Sequence, residues 1–126
     1  DRAIADFSEA IRLDPKEPLR YANRGDVWHE KGDYDRALAD YNKAVSLNPR
    51  YAAAYSGRAD VWRIRRELDR ALAENKEALR LEPKNAGFVA SLATIGGALG
   101  SALESEDAVR AAAYSSSAAE RDDAAA

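Results

Sequence analysis

Apolar residues along this chain return every three or four positions, the spacing that gathers them on one face of an α-helix. In "GDYDRALADYNKAVSLNP", residues 32–49, they fall at Tyr34, Ala37, Leu38, Tyr41, Ala44, Val45 and Leu47. The arrangement returns 34 residues later, in "RELDRALAENKEALRLEP", at Leu68, Ala71, Leu72, Ala78, Leu79 and Leu81. A shorter copy, "DRAIADFSEAIRLDP", stands 34 residues earlier. The stretches between carry a second stripe: Tyr21, Val27 and Trp28 in "LRYANRGDVWHEK", then Tyr55, Val61 and Trp62 in "AAAYSGRADVWRIR". Pro15, Pro49 and Pro83 close the copies, because proline has no amide donor and crowds the preceding turn.

These signals predict an all-α chain with helices near 2–14, 19–31, 34–47, 52–65, 68–81 and 86–102. Small residues at Ala37, Ala44, Ala71 and Ala78 let paired helices approach closely. The expected organisation is the second helix of a truncated unit (1–17), two full helix–turn–helix units (18–51 and 52–85) and a degenerate closing helix (86–103). A short helix from Ser105 through Tyr114 and a mobile acidic, Ala/Ser-rich tail complete residues 104–126. Since the chain opens inside a repeated unit and has no methionine, it reads as a fragment of a longer protein. With its partner helix missing, the first helix is expected to leave Ile4, Phe7 and Ile11 partly uncovered. Self-association through that end follows as an expectation.

The repeated unit resembles the tetratricopeptide repeat, a 34-residue helix–turn–helix with an aromatic, small residues, a second aromatic, glycine, alanines and proline at set offsets. Tyr21, Gly25, Trp28, Gly32, Ala37, Tyr41, Ala44 and Pro49 match it throughout. The following unit matches at Tyr55, Ala59, Trp62, Ala71, Ala78 and Pro83, and departs at Arg66 (turn glycine) and Asn75 (aromatic). Ala3, Phe7, Ala10 and Pro15 belong to the preceding, shortened copy. "NRG" and "RLDP" are similar to bacterial members of the family. The resemblance implies an α-solenoid, stabilised by stacking of neighbours, that binds rather than catalyses.

It also implies which residues line the concave groove: Leu19, Ala22, Asn23, Asp26, His29 and Glu30 from one unit, and Ala53, Ser56, Gly57, Asp60, Arg63 and Ile64 from the next. Asn23, Asp26, Glu30, Ser56, Asp60 and Arg63 are the candidate peptide-contacting residues. Asp26 and Asp60 occupy equivalent places. They read either as solvated residues paired with arginines or as a shallow acidic pocket for a Lys- or Arg-bearing ligand. One subfamily clamps C-terminal carboxylates with Lys, Asn, Asn, Lys and Arg. Asn23 fits one such position, but Ala53 and Gly57 stand at two basic ones and Asp60 opposes a carboxylate, so the clamp is rejected.

Composition removes other chemistries. The absence of cysteine excludes disulfides and thiolate metal sites and leaves the compartment unmarked, with the cytoplasm as the working expectation. The single histidine, His29, reads as a solvated surface residue. The segment 1–85 carries a net charge of +1 and 86–126 carries −4, with no basic stripe, so nucleic-acid binding has no electrostatic basis. Asp35, Asp40, Glu67, Asp69, Glu74 and Glu77 alternate with basic residues and read as solvated helix exteriors. Arg24 and Arg58 read as tethers whose stems cover apolar surface while the guanidinium reaches an acid. No catalytic set, cofactor motif or metal motif is present, and enzyme activity is not expected.

Residues 86–103 hold no charge, contain Gly96, Gly97 and Gly100, and fit three uses: a closing helix, an interface, or a membrane-associated segment at the lower edge of spanning length. The expected function is a scaffold for a protein or peptide partner. The alternative is a structural spacer within a larger protein, membrane-associated through 86–103.

Overall fold

A computed structural model of the chain describes residues 1–100. Its helices are α1 (Arg2–Leu13), α2 (Pro18–Glu30), α3 (Tyr34–Leu47), α4 (Ala52–Ile64) and α5 (Leu68–Leu81), followed by helical residues from 86 onward. The bounds of α1–α5 agree with the sequence expectation to within a residue. The chain divides after Ile95 into two units, Asp1–Ile95 and one that begins at Gly96. In the second, residues 96–100 are described and are helical. The expected end of the closing helix at 102, the helix from Ser105 and the tail lie outside the described residues.

The helix starts follow from local chemistry. Asp1 caps α1 by accepting from the Ala3 amide at 2.8 Å, and Asp33 caps α3 by accepting from the Arg36 amide at 3.2 Å. Pro18 opens α2, where its missing amide costs nothing. The turn into α3 uses Gly32 at φ +78°, and the turn into α5 uses Arg66 at φ +64°. Arg66 thus keeps the left-handed turn that its side chain disfavours by about 1–2 kcal/mol. The surrounding hairpin imposes the backbone, and the sequence departure changes cost rather than shape.

Helices pack in hairpins, α2 on α3 and α4 on α5, with α1 on α2 and α3 on α4 joining neighbours. Ala37, Ala44, Ala71 and Ala78 are completely buried at these joints. Tyr41, 1% exposed, fills the space between the repeats 18–51 and 52–85. Its ring lies against Gly25 of its own unit and Gly57 of the next, where an added Cβ would come within 2.9 and 2.5 Å of it. Both glycines are therefore required by close approach.

Several contacts recur at the 34-residue interval. The Tyr21 hydroxyl donates to the Pro15 carbonyl at 2.9 Å, and that of Tyr55 to the Pro49 carbonyl at 2.8 Å. Arg36 lies over the Trp28 ring at 4.7 Å and Arg70 over Trp62 at 4.8 Å. Arg24 forks onto both oxygens of Asp40, at 2.8 and 2.7 Å, and donates to Ser8 Oγ at 3.1 Å. Arg58 repeats this on Glu74 Oε2, at 3.0 and 2.7 Å, and on Asn42 Oδ1 at 3.1 Å. Each arginine ties its own helix to the second helices of two successive units.

This corrects the reading of Asp40 and Glu74 as solvated exteriors. Asp40 is buried and Glu74 half-buried, because each must meet an arginine that reaches across the hairpin. In α1, Ile4, Phe7 and Ile11 are only half-buried, and no residue of that helix is fully buried.

Candidate peptide-binding groove

The first helices of neighbouring units, α2 and α4, touch each other. Between them opens a cleft of about 360 Å³. Its lining comprises Asp26, His29 and Glu30 of α2, Tyr41 of α3, Ala53, Ser56, Gly57 and Asp60 of α4, and Phe88. The small residues of α4 keep that wall low, while Tyr41 reaches the cleft from the core behind.

Of the six candidate residues, Asp26, Glu30, Ser56 and Asp60 are brought together by this cleft, whereas Asn23 and Arg63 are not part of its lining. Asn23 sits half-buried on α2. Arg63 stands beside the cleft, its guanidinium 3.9 Å from Asp60 Oδ1, too far for a hydrogen bond.

Asp26 and Asp60, equivalent in sequence, have different partners. Asp26 Oδ1 accepts a 2.6 Å hydrogen bond from the Tyr41 hydroxyl. Asp60 has no such donor among the described residues, because the position equivalent to Tyr41 is Asn75, whose Nδ2 is used on the Phe88 carbonyl at 3.0 Å. Arginine pairing, the solvated reading, therefore applies only loosely to Asp60 and not to Asp26.

Burial raises the pKa of both aspartates above the ordinary range. For Asp26 desolvation dominates, with the Tyr41 hydrogen bond and His29 opposing it and Glu30 adding to it. Although Asp26 is exposed as a whole residue, its Oδ1 end faces the buried Tyr41 ring, and desolvation acts there. For Asp60 desolvation again leads, opposed by Arg63 and His29 and reinforced by Asp26. The Tyr41 hydroxyl is pushed up by its own burial and then by Asp26, so it remains a proton donor across the physiological range.

Sequence reasoning placed His29 on the groove but misread it as solvated, assigned Tyr41 only to the core, and missed Phe88. His29 is not a solvated surface residue: its Nε2 is closed off from water without a hydrogen-bond partner among the described residues. Its ring packs edge-on to Tyr34, centroids 5.5 Å apart, which draws the imidazole inward. Tyr41 was legible as a core aromatic, and a buried tyrosine hydroxyl generally needs a partner. That need was the available signal pointing to Asp26. Phe88 comes from beyond the matched units, and nothing in the 34-residue spacing places it here.

Among the described residues, no three or more acids and histidines converge to hold a metal ion, and no helix is long and apolar enough to cross a membrane.

Comparison with known proteins bears on the fold and the family. A search of curated proteins finds no match. The family model described as "TPR repeat" matches residues 25–62. The first TPR domain of human RPAP3 is similar at 31% identity and TM-score 0.74, over 79% of this chain and 78% of that one. The first TPR of Spaghetti (RPAP3), bound to the HSP90 peptide SRMEEVD, is similar at 30% identity and TM-score 0.71, over 77% of each chain. YrrB, a TPR protein with an unusual peptide-binding site, is similar at 28% identity and TM-score 0.68, over 71% of this chain and 46% of that one. With the 34-residue hairpins, the stacked all-α solenoid and these relatives in agreement, the chain belongs to the tetratricopeptide repeat family.

Proposed function

We propose that this chain is a protein-interaction module whose concave groove holds a segment of a partner protein. The observation that carries the reading is the open cleft between α2 and α4, with Asp26, Glu30, Ser56 and Asp60 on its walls. A spacer would gain nothing from small residues and desolvated carboxylates facing an unfilled cleft, whereas a peptide backbone needs both room and polar partners. Two of the similar structures are described by peptide binding, one of them with the acidic segment SRMEEVD. This chain differs from a carboxylate clamp in presenting Ala53 and Gly57 where cations would be needed, with Asp60 beside them. Its partner segment is therefore of a different charge type.

A bulky plug tests the groove without altering its charge. Ala53 is exposed on α4 and lines the cleft, so Ala53→Trp should lower binding of peptides selected on the unmodified chain by about tenfold or more, on the order of 1.4 kcal/mol. Ala73→Trp, at an exposed position on α5 outside the cleft lining, should leave it unchanged. Equal binding by both variants in an anisotropy titration would place the partner elsewhere.

A further inference from the structure

We propose that the cleft takes a cationic side chain, arginine or lysine, of the bound segment; this rests on the groove reading above and specifies its ligand.

Among the described residues three carboxylates, Asp26, Glu30 and Asp60, line the cleft, and no lysine or arginine does. The chain's own nearby cation, Arg63, stops 3.9 Å from Asp60 and is one-third exposed. Burial raises the pKa of both aspartates, more than the neighbouring Arg63 and His29 offset.

The shape of the charge decides which cation fits. A divalent metal requires several oxygens converging at about 2.0–2.6 Å. Among the described residues the acids and His29 do not converge in this way. An ammonium or guanidinium instead carries several N–H donors pointing in different directions, and so matches acceptors spread over opposite walls. Asp26, with one oxygen already held by Tyr41, offers its other. Asp60, without a tyrosine, offers more. Phe88 adds an aromatic ring to the lining, a surface that attracts cations. The groove thereby reads the opposite charge from the one a carboxylate clamp reads.

The test uses the full chain, ¹⁵N-labelled, and four heptapeptides with a common Ala/Ser frame and a central Arg, Lys, citrulline or Glu. The Arg and Lys peptides should shift the amides of Ser56, Gly57 and Asp60. They should bind about threefold or more tighter than citrulline, with Glu weakest, as expected for one or two screened pairs. Asp60→Asn and, independently, Glu30→Gln should narrow the preference for Arg over citrulline, and added salt should weaken Arg more than citrulline. Equal binding of all four peptides with the same amides shifted would overturn the cation subsite and leave the groove standing. If no peptide moves the cleft amides, both readings fall.

Discussion

Units 18–51 and 52–85 share a skeleton and differ in what fills it. Each has a tyrosine hydroxyl on a proline carbonyl six residues back, an arginine over a tryptophan ring, and an arginine fork onto the following helix. The difference lies at the position that meets the next unit. In the first it is Tyr41, a ring seated on Gly25 and Gly57 that sends its hydroxyl to Asp26. In the second it is Asn75, completely buried, which reaches only the Phe88 carbonyl and leaves its Oδ1 without a partner among the described residues. The tethers within a hairpin are constant, while the joint between hairpins varies and carries the groove chemistry with it.

The comparison predicts unequal costs for matched truncations. Tyr41→Ala removes a buried aromatic shared by two units and should cost about 3–5 kcal/mol. Asn75→Ala removes one hydrogen bond and should cost about 1–3 kcal/mol. Urea denaturation of the two variants side by side checks this, and equal losses would mean the joints are energetically alike.

The reciprocal replacement comes next in size. Ala59 and Ser91 stand where the first joint has Gly25 and Gly57, so a ring at position 75 would meet Cβ atoms that Tyr41 avoids. Asn75→Tyr should therefore destabilise by about 1–3 kcal/mol through overpacking. Adding Ala59→Gly and Ser91→Gly should recover much of the loss in the same denaturation assay.

The smallest effect concerns charge. Asp60 is harder to ionise folded than unfolded, so folding is not penalised while both states hold the proton and becomes penalised as pH rises through the raised value. Asp60→Asn should thus stabilise the chain at neutral pH, by less than about 1 kcal/mol because the side chain is partly open to water. The gain should vanish below the ordinary aspartate range. Asp26, His29 and Arg63 act on the same carboxylate, so the profile is best taken across the whole acidic limb.

Much of the architecture was legible because each unit states it again. Tyr21 with Tyr55, Trp28 with Trp62 and the three closing prolines fix hairpin length and helix faces at once. The groove was only half legible. Asp26, Glu30, Ser56 and Asp60 follow from the face of a first helix that the tetratricopeptide resemblance turns inward. Asn23 and Arg63 share that face but fall outside the cleft lining. Tyr41 was assigned wholly to the core, since spacing shows where a ring is buried and not where its hydroxyl emerges. His29 looked solvated among charged neighbours, and only its packing on Tyr34 shows otherwise. The acidic residues of the second helices were misjudged for a related reason: the arginine that buries Asp40 lies 16 positions away, on the other arm of the hairpin.

The seat of Tyr41 also makes the order of the units irreversible. A tandem duplication of 18–51 would set Asn23, the counterpart of Gly57, against the first copy's Tyr41, and its Cβ would strike the ring. A duplicated 52–85 would set Gly57, in place of Ser91, beside Asn75, with no ring to fill the room the glycine leaves. Neither hairpin can be multiplied to lengthen the array without changing the glycine or the ring that keys it to its neighbour. The repeats are alike in outline, yet each fits only one place in the sequence of parts.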